Sequence, residues 1–171
     1  WLVMSAILVK ADNAERVPDW GWNIVKSIGQ HQIQHLHYAK LNDEKRLLAC
    51  NELAKLPIRI FVLLSNKRNI EGYKNIRAEK ARVNRTAWFY CWMSKLLLER
   101  VTSYCSNKSI THFNEKRAVQ PIFSDRGGVN INDVSRYFEY IRWQSETDRR
   151  YDPRFDIAWD VVDTANFQMH P

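Results

Sequence analysis

Asp125 is the carboxylate around which chemistry is most readily built in this chain. It follows an apolar run over residues 118–123, and Gly127 and Gly128 come soon after it. We interpret the run as a short buried strand that ends at Asp125 and is followed by a sharp turn at the glycines. A carboxylate between the carboxyl end of a strand and the next helix lies where α/β sheets bind ligands. The alternative is that Asp125 only caps the turn, because Asp-x-Gly turns are common.

Magnesium-dependent phosphodiester chemistry needs two or more oxygen ligands that converge from different elements. The other candidate carboxylates are Glu44, Asp133, Asp156, Asp160 and Asp163. The last three lie in or directly after the final predicted strand. One of them would meet Asp125 if that strand lies beside the strand that ends at Asp125. Because side chains alternate along a strand, the last three cannot all lie on one face. Each of them taken singly is typical of a surface or turn residue.

The segment 66–85 is strongly basic. Its cations are Lys67, Arg68, Lys74, Arg77, Lys80, Arg82 and Arg85, and they are opposed by Glu71 and Glu79. Such a segment can bind phosphates through counterion release, and Tyr73 within it can stack a base. The alternative is a solvated, mobile loop. We assign Lys67, Arg68, Lys74, Arg77 and the more distant Arg126 as candidate nucleic-acid contacts.

Three histidines form an H-x3-H-x-H pattern at His31, His35 and His37. On a helix, His31 and His35 would share a face, which suits a transition metal. No cysteine or further histidine follows at a zinc-finger spacing, so solvated or hydrogen-bonded histidines are the simpler interpretation.

Composition indicates a globular protein and favours an anionic partner, with a merely soluble, cationic protein as the alternative. The chain has 171 residues, 45% of them hydrophobic and 26% charged, with a formal net charge of +7. That balance excludes a disordered chain and favours nucleic acid first and a membrane surface second. The three cysteines have no metal-like spacing, and we interpret Cys50 and Cys91 as buried; a reducing, cytoplasmic setting is expected. The apolar residues 1–9 are too short for a membrane span and have no basic leader.

The pattern of elements predicts one α/β domain over residues 1–171 with a substantially parallel sheet. Strands are predicted over 2–9, 58–64, 119–123 and 155–162, with 58–64 buried on both faces in its later part. Helices are predicted over 18–28, 43–56 and 84–105, and after a cap at Asn132-Asp133. The chain starts inside an apolar strand and stops just after an apparent strand, so we expect a fragment of a longer protein.

Several segments together resemble a bacterial and phage family known as domain of unknown function 3800. They are the run 35–46, the run 53–62 with Ser65-Asn66-Lys67, the helix 96–101 and the Phe123-Ser124-Asp125-Arg126-Gly127-Gly128 turn. The resemblance implies an RNase H-like fold, with a mixed central sheet flanked by helices, and a metal-dependent nuclease. It also implies that Asp125 is a catalytic metal ligand for Mg²⁺ or Mn²⁺ and that His37 lies near the substrate or metal.

The chain departs from the pattern of that family at both ends. The family opens with a strand carrying Asp-Glu-Ser-Gly and closes with a helix carrying Gln-Leu-Ala-Asp, and neither motif is present here. The predicted fold therefore lacks its first strand and last helix. Two alternatives follow: a non-catalytic nucleic-acid-binding or scaffold subunit of a defence or mobile-element complex, and a homo-oligomer. The oligomer would form through the aromatic residues Trp88, Phe89, Trp92 and Trp143.

Overall fold

Helices make up most of the described part of the chain. In a computed structural model, the residues that the structure describes are 1–29, 38–66, 68, 71–72, 74–124, 129–147, 156–163 and 168–170. Within them the strands are β1 (Leu2–Val9), β2 (Ile58–Ser65), β3 (Ile122–Ser124) and β4 (Gln168–His170). The α-helices are α1 (Val17–Ser27), α2 (Asp43–Ala54), α3 (Ile76–Lys80), α4 (Trp88–Phe113) and α5 (Ile131–Thr147). Short 3-10 helices lie at Ala11–Arg16, Tyr38–Lys40, Arg85–Ala87 and Trp159–Val161. The α/β class is thus confirmed.

The chain divides into two compact units. One consists of residues 7–60, and the other of residues 1–6 together with 61–171. The smaller unit contains α1 and α2, and the larger unit contains α3, α4 and α5. A single domain over residues 1–171 stays a prediction.

The smaller unit has its own apolar core. Its buried residues are Ile24, Ile28, Leu41 and Ala49, with Leu53 and Leu56 packed against them. The Asn42 side chain accepts a hydrogen bond from the Lys45 backbone N–H at 3.0 Å, so the predicted start of α2 is confirmed. Gly29, at φ +70°, follows the end of α1, a conformation that suits glycine.

The predicted apolar face of α2 is partly wrong. Leu47 and Leu48 are 64% and 37% exposed, and Cys50 is exposed rather than buried. The reason is helical geometry, because the stripe at Ala49, Leu53 and Leu56 has the i, i+4, i+7 spacing that packs on α1.

The described strands lie in two separate two-stranded sheets. In one sheet β1 pairs with β2, and in the other β3 runs parallel to β4 with Phe123 opposite Met169. A single central sheet is therefore not seen among the described strands. The later part of β2 is open on one face, because Val62 and Leu64 are 58% and 64% exposed; the prediction of burial on both faces is wrong.

The predicted strand over 155–162 is not a strand in its described part. The residues Trp159–Val161 form a 3-10 helix, and Val162 makes a single parallel bridge to Val119. The bridge consists of the Val119 N–H to Val161 carbonyl bond at 2.6 Å and the Asp163 N–H to Val119 carbonyl bond at 2.9 Å. This single bridge is too short to form a strand at either Val119 or Val162.

The larger unit is built around α4 and α5. As predicted, α5 buries Val134, Tyr137, Phe138 and Ile141, all at most 1% exposed. These four side chains share a core with residues of α4, including Cys91 and Leu98, and with Phe123 of β3. The helix α4 continues past its predicted end at residue 105 as far as Phe113, and it is capped by Asn114 with a left-handed φ of +51°. In the described residues, no helix is long and apolar enough to cross a membrane.

Candidate nucleic-acid interface

Four of the predicted site residues lie outside the described residues. They are His37, Lys67, Asp125 and Arg126; Tyr73, His31 and His35 also lie outside them. The described candidates are Arg68, Lys74 and Arg77. The elements that flank these residues in the described part of the chain therefore define the surroundings of the predicted site.

The strand that leads to Asp125 has a parallel neighbour. β3 ends at Ser124, and Ser124 is the register partner of His170 at the end of β4. The carboxyl ends of β3 and β4 thus meet at one sheet edge, which is where α/β sheets place ligands. His170 was not predicted as a site residue. Its position follows from a pairing between segments far apart in sequence, for which the sequence carries no local signal.

The contacts of Asp160 and Asp163 lie at residues that precede β3 and not at its carboxyl end. The backbone N–H of Asp163 donates to the Val119 carbonyl. In an extended chain, Val119 and Ser124 are separated by up to roughly 16 Å. Asp160 forms an ion pair with Lys116 at 2.6 Å, and the side chain of Asp156 accepts a bond from the Ile157 N–H at 2.7 Å. The bridge to Val119 therefore places Asp163 toward the other end of the strand from Ser124.

The remaining candidate carboxylates also have structural surroundings. Asp133 is 6% exposed in the first turn of α5 and pairs with Arg136. Glu44 is exposed in the first turn of α2, where a negative charge favours the helix dipole. Within the described ranges, no group of three or more His, Cys, Asp or Glu side chains could hold a metal ion. These residues do not form a metal site by themselves, and Mg²⁺ or Mn²⁺ stays a prediction.

The described part of the basic run, residues 74–85, is well anchored. The side-chain oxygen of Asn75 accepts a bond from the Ala78 N–H at 3.0 Å and caps α3. The amide group of the same residue donates to the Trp88 carbonyl at 3.0 Å and to the Tyr137 hydroxyl at 3.4 Å. Asn75 and Ala78 are 2% and 0% exposed. The segment is therefore held against α4 and α5 and is not a free solvated loop.

The cations of residues 74–85 point mainly to solvent. Lys74, Lys80, Arg82 and Arg85 are exposed, and within the described ranges none of the four forms an ion pair. Glu79 is the one carboxylate in the segment. Arg77 is half-buried, and its Nε donates to Gln144 Oε1 of α5 at 3.0 Å. The arrangement leaves an exposed, largely uncompensated positive surface.

Two cations of the basic run, Arg85 and Arg68, have further contacts. The guanidinium of Arg85 lies over the Trp88 ring, 5.9 Å from its centroid. The exposed Arg68 lies outside the anchored segment, and its backbone N–H donates to Asn66 Oδ1 at 3.1 Å. Lys74 and Arg77 thus lie on the same anchored segment as Lys80, Arg82 and Arg85, which the sequence marked only as members of a basic run.

Comparison of the chain with protein-family models, with curated proteins and with solved structures finds no match. The likeness to the domain of unknown function 3800 family, and the RNase H-like arrangement that it implies, therefore stay predictions. The geometry of the chain itself carries the functional proposal.

Proposed function

We propose that this protein binds nucleic acid through the basic segment 74–85. The observation that carries the proposal is the exposed set Lys74, Lys80, Arg82 and Arg85, which has no ion pair among the described residues. Phosphates that replace the small counterions of such a surface release those ions, and this release favours binding. Because Asn75 anchors the segment to α4 and α5, few backbone conformations need to be lost on binding.

The spread of the cations favours a polyanion over a small anionic ligand. A small phosphate-bearing ligand is held by donors that converge on one partly enclosed point. Here four cations lie on the surface of a twelve-residue segment, and the net charge of the whole chain is +7. A chain of phosphates matches separate exposed cations, because each phosphate meets its own partner.

The proposal is tested by the salt dependence of binding. We would measure the fluorescence anisotropy of labelled oligonucleotides with the full chain, its Lys74→Gln/Lys80→Gln variant and a control, Lys40→Gln/Lys108→Gln. The control removes the same charge from two exposed lysines elsewhere. We expect the slope of log affinity against log salt to fall by about 0.7 for each phosphate contact removed from a single strand. Affinity that does not change with salt, or equal losses in both variants, would contradict the proposal.

A second candidate function is phosphodiester hydrolysis by an RNase H-like nuclease. The parallel pairing of β3 and β4 favours it, because Asp125 follows the strand end that lies beside the end of β4. In this proposal Asp125 is the ligand for Mg²⁺ or Mn²⁺ and His37 acts near the substrate. Lys67 and Arg126 would contact the phosphate backbone of the nucleic acid that is cleaved.

Cleavage of labelled DNA and RNA, with either metal ion and with EDTA, tests this second function. We expect metal-dependent products from the unmodified chain and none above background from Asp125→Ala. The control is Asp19→Ala, which removes an exposed carboxylate from the first turn of α1. Activity that persists in Asp125→Ala would remove Asp125 from the mechanism. Binding without any turnover would instead favour the non-catalytic subunit of a defence or mobile-element complex.

A further inference from the structure

An aromatic pair on α5 has an open face. The Trp143 side chain is 57% exposed, and its ring lies 5.7 Å from the half-buried Tyr140 ring at an angle of 36°. Three other exposed rings in the described part of the chain lie beneath a cation: Trp22 beneath Lys26, Tyr38 beneath Arg46 and Phe113 beneath Arg117. No described cation lies over Trp143, so its apolar ring remains open to a ligand.

The aromatic pair lies beside the basic segment. Tyr140 and Gln144 are one helical turn apart and therefore neighbours on one flank of α5. Gln144 is the residue that accepts the hydrogen bond from Arg77 of α3, at 3.0 Å. Arg77 and Gln144 therefore connect the segment 74–85 to Tyr140 and Trp143. All of these residues belong to the larger unit.

We propose that Tyr140 and Trp143 stack on unpaired bases of a single strand whose phosphates lie on residues 74–85. This inference rests on the proposed nucleic-acid binding and names its ligand class. Single strands are bound by cations that follow the backbone together with aromatic rings that stack on bases. A duplex cannot use the rings in this way, because its base faces are already stacked on one another.

A second copy of the chain fits this surface less well. A stable protein interface buries about 800 Å² on each partner, whereas a whole aromatic side chain buries about 150–250 Å². One exposed tryptophan and one half-buried tyrosine fall well short of that area. Two copies would also bring their basic segments together, and the like charges would repel.

The test compares single-stranded and duplex ligands. We would titrate an oligothymidine of about 20 nucleotides, and a duplex of the same length, into the full chain and three variants: Trp143→Ala, Trp22→Ala and Lys74→Gln/Lys80→Gln. Trp22→Ala is the matched control, because it removes another exposed tryptophan, 43% exposed, from α1. Trp143 is exposed, so its replacement leaves the core intact, and circular dichroism would check this.

The expected pattern separates stacking from charge. Trp143→Ala weakens single-strand binding by about 5- to 100-fold, with duplex binding within about twofold of the unmodified chain. Trp143→Phe restores most of the loss, and Trp22→Ala has no effect. The lysine variant weakens binding of both ligands, since phosphates are common to both.

Three results would overturn the inference. If both ligands bind equally and only the lysine variant matters, nucleic-acid binding stands and the stacking role falls. If neither ligand binds, the proposed function fails and the stacking role fails with it. If light scattering shows a dimer that Trp143→Ala converts to a monomer, the aromatic pair is a contact between subunits.

Discussion

At the scale of single residues, a buried ion pair in α4 is a costly feature. Lys95 and Glu99 are one turn apart, and their side chains are 6% and 10% exposed. Removing two charges from water is expensive, and their attraction offsets much of that cost only while both are present. Ser94 and Thr102 are also buried on this helix, so the central helix has a polar stripe that its mainly apolar sequence did not predict.

We predict that the two charges are coupled in stability. Lys95→Met or Glu99→Leu alone should destabilise the protein by about 3–5 kcal/mol, because each leaves a buried charge without its partner in this ion pair. The double variant should lose less than either single variant. Urea unfolding of the four proteins gives the coupling energy. The exposed pair Arg142 and Glu146 is the control, and its removal should change stability by no more than about 0.5 kcal/mol. Additive losses at Lys95 and Glu99 would contradict the coupling.

A second prediction at this scale concerns pH. Burial raises the pKa of the Cys91 thiol to about 12, and the negative charge of Asp133 adds to the rise. The unfolded chain releases this proton near pH 8.5, whereas the folded chain keeps it. The Cys91 thiol therefore makes its full contribution to the free energy of unfolding below about pH 8.5. That contribution is lost as the pH rises toward 12, by at most about 1.4 kcal/mol per pH unit.

Urea unfolding between pH 8 and 10.5 checks this direction. The unmodified chain should lose stability more steeply than Cys91→Ala, which lacks the thiol. Cys50→Ala is the control and should keep the steep loss, because Cys50 is exposed. In the folded protein, iodoacetamide at pH 8 should label Cys50 and spare Cys91. Rapid labelling of Cys91 before unfolding would show that its burial is wrong.

At the scale of elements, two asparagines cap helices in different surroundings. Asn42 caps α2 from an exposed position with one hydrogen bond to Lys45. Asn75 caps α3 from a buried position, and its amide also joins that helix to Trp88 and Tyr137. The same residue type therefore makes a local contact in one helix and a contact between three helices in the other.

We predict a larger loss at the buried cap. Asn42→Ala should cost about 1 kcal/mol, the usual value for an exposed cap. Asn75→Ala should cost about 2–4 kcal/mol, because the Trp88 carbonyl also loses its buried partner. Thermal and urea unfolding would compare the two variants. Equal losses would indicate that the bond from Asn75 to Trp88 contributes nothing to stability.

At the scale of the whole molecule, the net charge of +7 creates a field that attracts polyanions at a distance. We predict that the association rate with a single-stranded oligonucleotide falls by about tenfold or more between low and high salt. Stopped-flow measurement with the Lys40→Gln/Lys108→Gln control should show a small fall in this rate and an unchanged dissociation rate. An association rate that does not depend on salt would mean that the field has no role in the encounter.

Local interactions explain why much of the helical structure could be predicted. The start of α2 at Asn42 and the buried face of α5 follow from caps and apolar periodicity, which act over a few residues. The strand β1 was predicted with the bounds that it has. The continuation of α4 to Phe113 was missed, because polar residues on its last turns carry no apolar stripe.

The α/β class, most helices and the basic run could be predicted from the amino-acid sequence alone. Three features became visible only in the folded chain: β3 pairs with β4, Leu47 lies on the outside, and Gln144 joins Arg77 to the aromatic pair. The physical reason is range. Helical hydrogen bonds and caps join near neighbours along the chain, whereas strand pairing and burial depend on which distant segment packs against a given face.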